Sequence, residues 1–230
     1  MGKCKYCGKS GFFLNVGNDG LCVGCRPLVL SCVQNDLRLI QESLEIILRS
    51  KNLDTKLSRC DFVVEVAQRL HEEYESKGLN LFGFQPLSFA AEYGRKRGEI
   101  LLEGLTADLK ATLDKASLAA TLTSKINVLA KMLGRVREYK GNMSDGEALK
   151  PIEQQLIGAI HAVKLQAFLE AAQKAEYKRQ PKKALDQYLE ALYFLEHDEI
   201  DDSRQRKDMA AIQVKIAELE RTNGIIVQDK

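Results

Sequence analysis

Beyond residue 27 the apolar positions of the chain recur almost everywhere at the helical period. Leu30, Val33, Leu37, Ile40, Leu44 and Ile47 step three and four in alternation, which predicts a heptad seam on one face of a helix over residues 28–50. Lys51-Asn52-Leu53-Asp54 is a short connection with Asp54 as its candidate N-cap. Cys60, Val63, Ala67, Leu70 and Tyr74 then repeat the alternation in a helix running to Lys77. A link this short turns the second helix back along the first, so the two seams are predicted to close as an intramolecular hairpin. A dimeric coiled coil is the alternative, but each helix offers only about three heptads and has a partner beside it in sequence.

The segment GLNLFGFQP, Gly78 to Pro86, interrupts the helical pattern, and its Leu81, Phe82 and Phe84 are expected to pack under the hairpin. No proline occurs from Ser88 to Lys140. There Leu102, Leu105, Leu109 and Leu113, followed by Leu122, Ile126, Leu129, Leu133 and Val136, predict two helices with a break near Ala116-Ser117, with one long bent helix as the alternative. The clearest break of the second half is Gly141-Asn142-Met143-Ser144-Asp145-Gly146. Helix resumes from Glu147 to Arg179, with Pro151 tolerated in its first turn. A further helix follows Pro181, and after the acidic bend 198–202 a last one, from Ser203 to Arg221, carries Met209, Ile212, Ile216 and Leu219 on one face.

The first 27 residues lack this period and hold four of the six cysteines. Cys4 and Cys7 form one Cys-x-x-Cys pair and Cys22 and Cys25 another, with fourteen residues between them. Two thiols two residues apart reach one ion when the backbone makes a tight knuckle, and two knuckles supply the tetrahedral thiolate set that Zn²⁺ prefers. Gly8 follows the first pair and Gly24 lies inside the second. Phe12 to Val16 reads as a short strand, Asn18-Asp19-Gly20 as a turn and Leu21 onward as the return strand, a hairpin that brings the pairs together. Arg26-Pro27 then starts a helix, since proline suits its first turn. Knuckle, hairpin and helix in this order resemble the treble-clef and short zinc-ribbon fingers, over about thirty residues. The metal ligands expected are Cys4, Cys7, Cys22 and Cys25, with Zn²⁺ as the ion and an iron–sulfur cluster as the alternative. A thioredoxin-like redox pair needs a βαβ context that is missing, and four thiolates leave no open position for catalysis.

FLEAAQKAEYKRQPKKALDQYLEALYFLE carries a second resemblance. Phe168, Ala171, Ala172 and Ala175, then Ala184, Tyr188 and Ala191, resemble one tetratricopeptide unit, although Ala175 replaces the usual tyrosine and Glu196 the closing proline. The middle helix is also similar to that of the microtubule-interacting-and-trafficking bundle. Either resemblance implies a protein-binding module. Matched to the repeat, Gln166, Leu169, Gln173 and Glu176 would lie along its ligand-binding face. Close helix packing alone accounts equally well for the small residues.

Composition narrows the function further. At 230 residues, with hydrophobic residues at 45%, the chain can bury real cores without disulfides. A net charge of +2 is too small for general affinity to nucleic acid or anionic membrane. No apolar run approaches the roughly 18 residues of a membrane span, no secretory signal opens the chain, and a reducing cytoplasm is the expected location. Cys32 and Cys60 are expected to be small buried residues of the helical body. No glycine-rich phosphate loop and no nucleophile with a base emerge, and His71, His161 and His197 fall on different helices, so no enzyme is expected.

The expected architecture is therefore mainly α: a Cys4 zinc finger with a β-hairpin over 1–27, antiparallel helical hairpins over 28–146 and a tetratricopeptide-like three-helix module over 147–230. The expected work is non-enzymatic protein–protein interaction or scaffolding with a protein or peptide partner. Binding of nucleic acid through the basic finger, where Lys3, Lys5, Lys9 and Arg26 cluster and Phe12 or Phe13 can stack, is the alternative. One of those two phenylalanines is expected to serve instead as the finger's miniature core, with the cations balancing the thiolates.

Overall fold

The computed structural model describes residues 2–141, 146–198, 200 and 202–223. The fold is mainly α, as the periodicity requires. Among the described residues a two-stranded antiparallel hairpin, β1 (Gly2–Lys3) and β2 (Ser10–Gly11), precedes seven α-helices: α1 (Arg26–Arg49), α2 (Leu53–Glu73), α3 (Pro86–Leu118), α4 (Leu122–Gly141), α5 (Lys150–Tyr177), α6 (Pro181–Glu196) and α7 (Asp202–Asn223). Helical contacts divide the chain into two compact units, Met1–Gly104 and Leu105–Lys230, with α3 shared between them. This division is by contact, and differs in kind from the three segments above, which concern what folds alone. The break expected over 142–145 lies outside the described residues, as do Glu199 and Asp201 of the acidic bend.

In the first unit α1 and α2 close as the predicted hairpin. Their connection is capped by Asn52, whose side chain accepts a 2.9 Å hydrogen bond from the Thr55 amide, and not by Asp54. On α2 the buried line contains every residue the pattern named, Cys60, Val63, Ala67, Leu70 and Tyr74. On α1 the line is Val29, Val33, Asp36, Ile40 and Ser43, so Leu30, Leu37 and Leu44 flank the contact rather than fill it. Two polar residues hold the centre because each is satisfied there. Arg69 of α2 donates to Asp36 at 2.7 Å, and the Ser43 hydroxyl donates to the Leu39 carbonyl at 2.9 Å. Ser43 is also small, which lets α2 approach closely. The Gly78–Pro86 segment packs as expected, with Leu79 and Phe82 buried and Leu81 and Phe84 half-buried against the same core.

In the second unit α3 and α4 are two helices, broken at 119–121. Their buried positions are Leu105, Leu109 and Ala116 on α3, and Leu129, Met132 and Val136 on α4; Leu133 is displaced to the edge. Arg135 pairs with Asp108 at 2.6 Å across this contact. Glu153 ties α5 to α4 by accepting from Arg137 at 2.9 Å and from Lys140 at 2.8 Å. Ala172, Ala184 and Ala191 are wholly buried where α5 meets α6, and α7 adds Ile212 and Ile216 to the cluster.

Candidate metal centre

The two knuckles are made by backbone hydrogen bonds that the sequence itself dictates. The Cys4 amide donates to the Lys9 carbonyl at 2.9 Å and the Gly8 amide returns to the Cys4 carbonyl at 2.9 Å. Gly8 has φ +72°, a left-handed conformation that a side chain would strain, so the glycine after the first pair is a geometric requirement. At the second pair the Cys25 and Arg26 amides both donate to the Cys22 carbonyl at 3.0 Å, and Cys25 stands at the N-cap of α1. A thiolate there faces the positive end of a 24-residue helix.

The chain reverses where expected, through a 3.0 Å bond from the Gly17 amide to the Leu21 carbonyl and an antiparallel bridge between Val16 and Cys22. Phe12 to Val16 does not form a continuous strand. The paired strands lie earlier, at Gly2–Lys3 and Ser10–Gly11, flanking the first knuckle.

These turns bring the sulfurs of Cys4, Cys7, Cys22 and Cys25 within 4.8 Å of one another, with no disulfide among them. A tetrahedral thiolate set at a Zn–S distance of about 2.3 Å separates its sulfurs by about 3.8 Å, so the cluster is able to chelate a metal with small adjustments. The Cys22 amide points at the Cys4 sulfur at 3.4 Å. The Cys4 thiol is lowered to about 6, chiefly by the Cys7 amide, against the opposing effect of burial. Cys25 is pushed up to about 12, first by its hydrogen bond with Cys22 and then by burial. Sulfurs this close cannot all ionise unaided, so a full thiolate set here requires a cation to offset its charge.

Contrary to expectation, the finger has no core of its own. Phe12 and Phe13 are 82% and 100% exposed. Cys4, Leu21 and Cys22 instead belong to one buried cluster with Val29 and Val33 of α1 and Val66, Leu70 and Tyr74 at the end of α2. Tyr6 stacks on Tyr74 with ring centroids 6.0 Å apart, and Lys5 Nζ donates to the Gly78 carbonyl at 2.7 Å. Arg26 pairs with Asp19 at 2.8 Å. Two of the four clustered cations thus hold structure, while Lys3 and Lys9 remain exposed. This docking was not legible beforehand, because Tyr6 and Tyr74 are far apart in sequence and belong to no motif.

Elsewhere, Cys60 is buried as expected, but Cys32 is exposed, beside the buried Val29–Val33–Asp36 line of α1 rather than within it. On α5, Gln166 and Gln173 are exposed, with Gln166 bonded to Glu170 at 3.0 Å. Leu169 is half-buried against the core of α5, α6 and α7, and Glu176 is half-buried beside the Tyr188 hydroxyl. The two glutamines therefore share an outer face, and Leu169 and Glu176 form its inner margin. His161 and His197, on separate helices, come together at one cleft with Asp198, which sequence spacing gave no means of seeing.

No known protein family, no curated protein and no solved structure matches this chain. The site must therefore be read from its own chemistry. Among the described residues, no helix is long and apolar enough to cross a membrane.

Proposed function

We propose that Cys4, Cys7, Cys22 and Cys25 hold one structural Zn²⁺, and that the finger it braces is a protein-binding element of a non-enzymatic, scaffolding protein that works in a reducing compartment. Four thiolates complete the coordination of the ion, so it supplies stability and shape rather than a site for substrate. The observation that carries the protein-binding reading is the pair Phe12 and Phe13. Both rings are exposed, 6.3 Å apart, on a loop fixed at each end by a metal ligand and by the α2 core. Exposed aromatics on a rigid loop are anchors in the sense that interface energetics favours. The buried alanines of α5 and α6 support a tetratricopeptide-like packing, for which Gln166 and Gln173, with Leu169 and Glu176 at their margin, are the proposed second face.

The same phenylalanine pair, flanked by exposed Lys3 and Lys9, also favours a second reading, in which the rings stack on single-stranded nucleic acid. One experiment separates them. Protein with Phe12→Ser and Phe13→Ser is compared with wild type in capture of proteins from lysate and in binding to a labelled oligonucleotide over a salt series. Loss of captured proteins in the variant supports the first reading, whereas salt-dependent oligonucleotide binding lost in the variant replaces it with the second. Wild-type behaviour of the variant in both assays removes the finger loop from function.

A further inference from the structure

Far along the chain from the metal cluster, α4, α5 and α6 enclose a cleft of about 490 Å³ within the second unit. Its walls are apolar and aromatic: Leu133 of α4, Ile157, Ile160 and Phe168 of α5, and Tyr193 and Phe194 of α6. Leu133 is half-buried at the edge of the cleft, since Met132 takes its place in the core.

Two stacked ring pairs line the aromatic wall. His161 stacks on Phe194 with centroids 5.0 Å apart and an interplanar angle of 24°, and Tyr193 stacks on His197 at 4.0 Å and 23°. Most of its polar groups are already committed. Arg137 is bound to Glu153 at 2.9 Å. Asp198 faces His161 Nε2 with Oδ2 at 2.5 Å, and its Oδ1 accepts from Gln205 at 3.0 Å and from the Ile200 amide at 2.7 Å. His197 Nδ1 contacts the Tyr193 carbonyl at 2.9 Å. Lys164, by contrast, makes no ion pair among the described residues, and its Nζ lies 5.8 Å from the Phe194 ring centroid at the edge of the wall. Glu190, a second lining group outside these pairs, is exposed on α6.

From this arrangement we propose that the cleft binds a small planar aromatic monoanion, its ring against Phe194 and Tyr193 and its carboxylate on Lys164. The volume lies in the range that small-molecule sites occupy, and an apolar wall with few placed polar groups is their usual composition. Tyr193, 61% exposed, offers the open ring surface a planar ligand needs. A single ammonium beside apolar surface favours one negative group, while Glu190 and Asp198 oppose a second one placed deeper in the cleft. The site is independent of the metal centre and of the finger loop, so its failure leaves the proposed function untouched.

The test uses the full chain and three probes, 2-naphthoate, its neutral counterpart 2-naphthalenemethanol and the cationic 2-naphthylmethylamine. Titration calorimetry is expected to show one saturable site for naphthoate, with the neutral probe about tenfold weaker and the amine weaker still, the difference a charge-assisted contact makes. Lys164→Met keeps the aliphatic stem, and is expected to bring naphthoate to the affinity of the neutral probe while leaving the latter unchanged. Methyl resonances of Leu133, Ile157, Ile160 and Ile200 are expected to shift on binding. Equal affinity for acid and alcohol in the wild type, absence of saturable binding, or shifts confined to other methyl groups each overturn the proposal. The wild-type comparison decides the matter even if Lys164→Met folds poorly.

Discussion

Cys32 and Cys60 sit on two helices that pack together, and only their direction distinguishes them. Cys60 is fully buried and its thiol pushed up by that burial, whereas Cys32 is exposed on α1. With metal bound, a thiol reagent should therefore label one cysteine per chain quickly, and Cys32→Ser should abolish that phase. Mass spectrometry of the quenched protein checks it. Rapid labelling of Cys60 would contradict its placement in the core. The same dependence on direction governs Asp36 and Ser43, polar residues that a hydrophobic pattern assigns to the outside. They lie inside because Arg69 and a backbone carbonyl meet them there, and an unmet polar group in that position would cost about 1 to 3 kcal/mol.

Between elements, contacts of two kinds hold the second unit. The meeting of α5 and α6 depends on the absence of side-chain bulk: Ala172, Ala184 and Ala191 have no exposed surface. Ala184→Leu is expected to overpack it and lower stability by roughly 1 to 3 kcal/mol, whereas an equivalent change at exposed Gln173 should be nearly neutral. Chemical denaturation measures both, and an unaffected Ala184→Leu variant would show that the helices are not closely packed. The contact of α4 with α5 depends on charge. Lys140 first, and Arg137 second, hold the Glu153 carboxyl below the ordinary carboxylate range. A depressed folded-state pKa means that the pairing contributes stability above the unfolded value of about 4.3, and that the contribution is lost as pH falls through the folded value. Glu153→Gln should therefore cost about 1 kcal/mol at pH 7, a figure reduced by the solvent around half-exposed Arg137, and converge with wild type once pH has fallen below the lowered folded value. A pH-independent difference would assign the loss to packing.

At the scale of the molecule, the consequence of docking is that metal and helical stability are coupled. A finger with a core of its own would leave the helices intact when the metal is removed. With Cys4 and Cys22 in the same buried cluster as Val29, Leu70 and Tyr74, Cys4→Ser should release the metal and also lower the thermal midpoint of the hairpin. Elemental analysis, with about one zinc per chain in wild type, and calorimetry of both proteins check the two parts. Metal loss with an unchanged unfolding profile would restore the separable finger. The sequence by itself determined the helical segments, the hairpin link after α1 and the set of four cysteines, whereas the break between α3 and α4 falls at 119–121 and not near Ala116-Ser117, both of which are helical. Each of the former depends on local periodicity, turn chemistry or fixed ligand spacing, which neighbours along the chain express. Only the tertiary structure decided which side of α1 faces inward, that Phe12 and Phe13 are exposed, that Tyr6 rests on Tyr74, and that His161, Lys164, Phe194 and Asp198 share one cleft. Those facts arise from pairings between distant residues, and a heptad pattern specifies that a face is buried without specifying what will cover it.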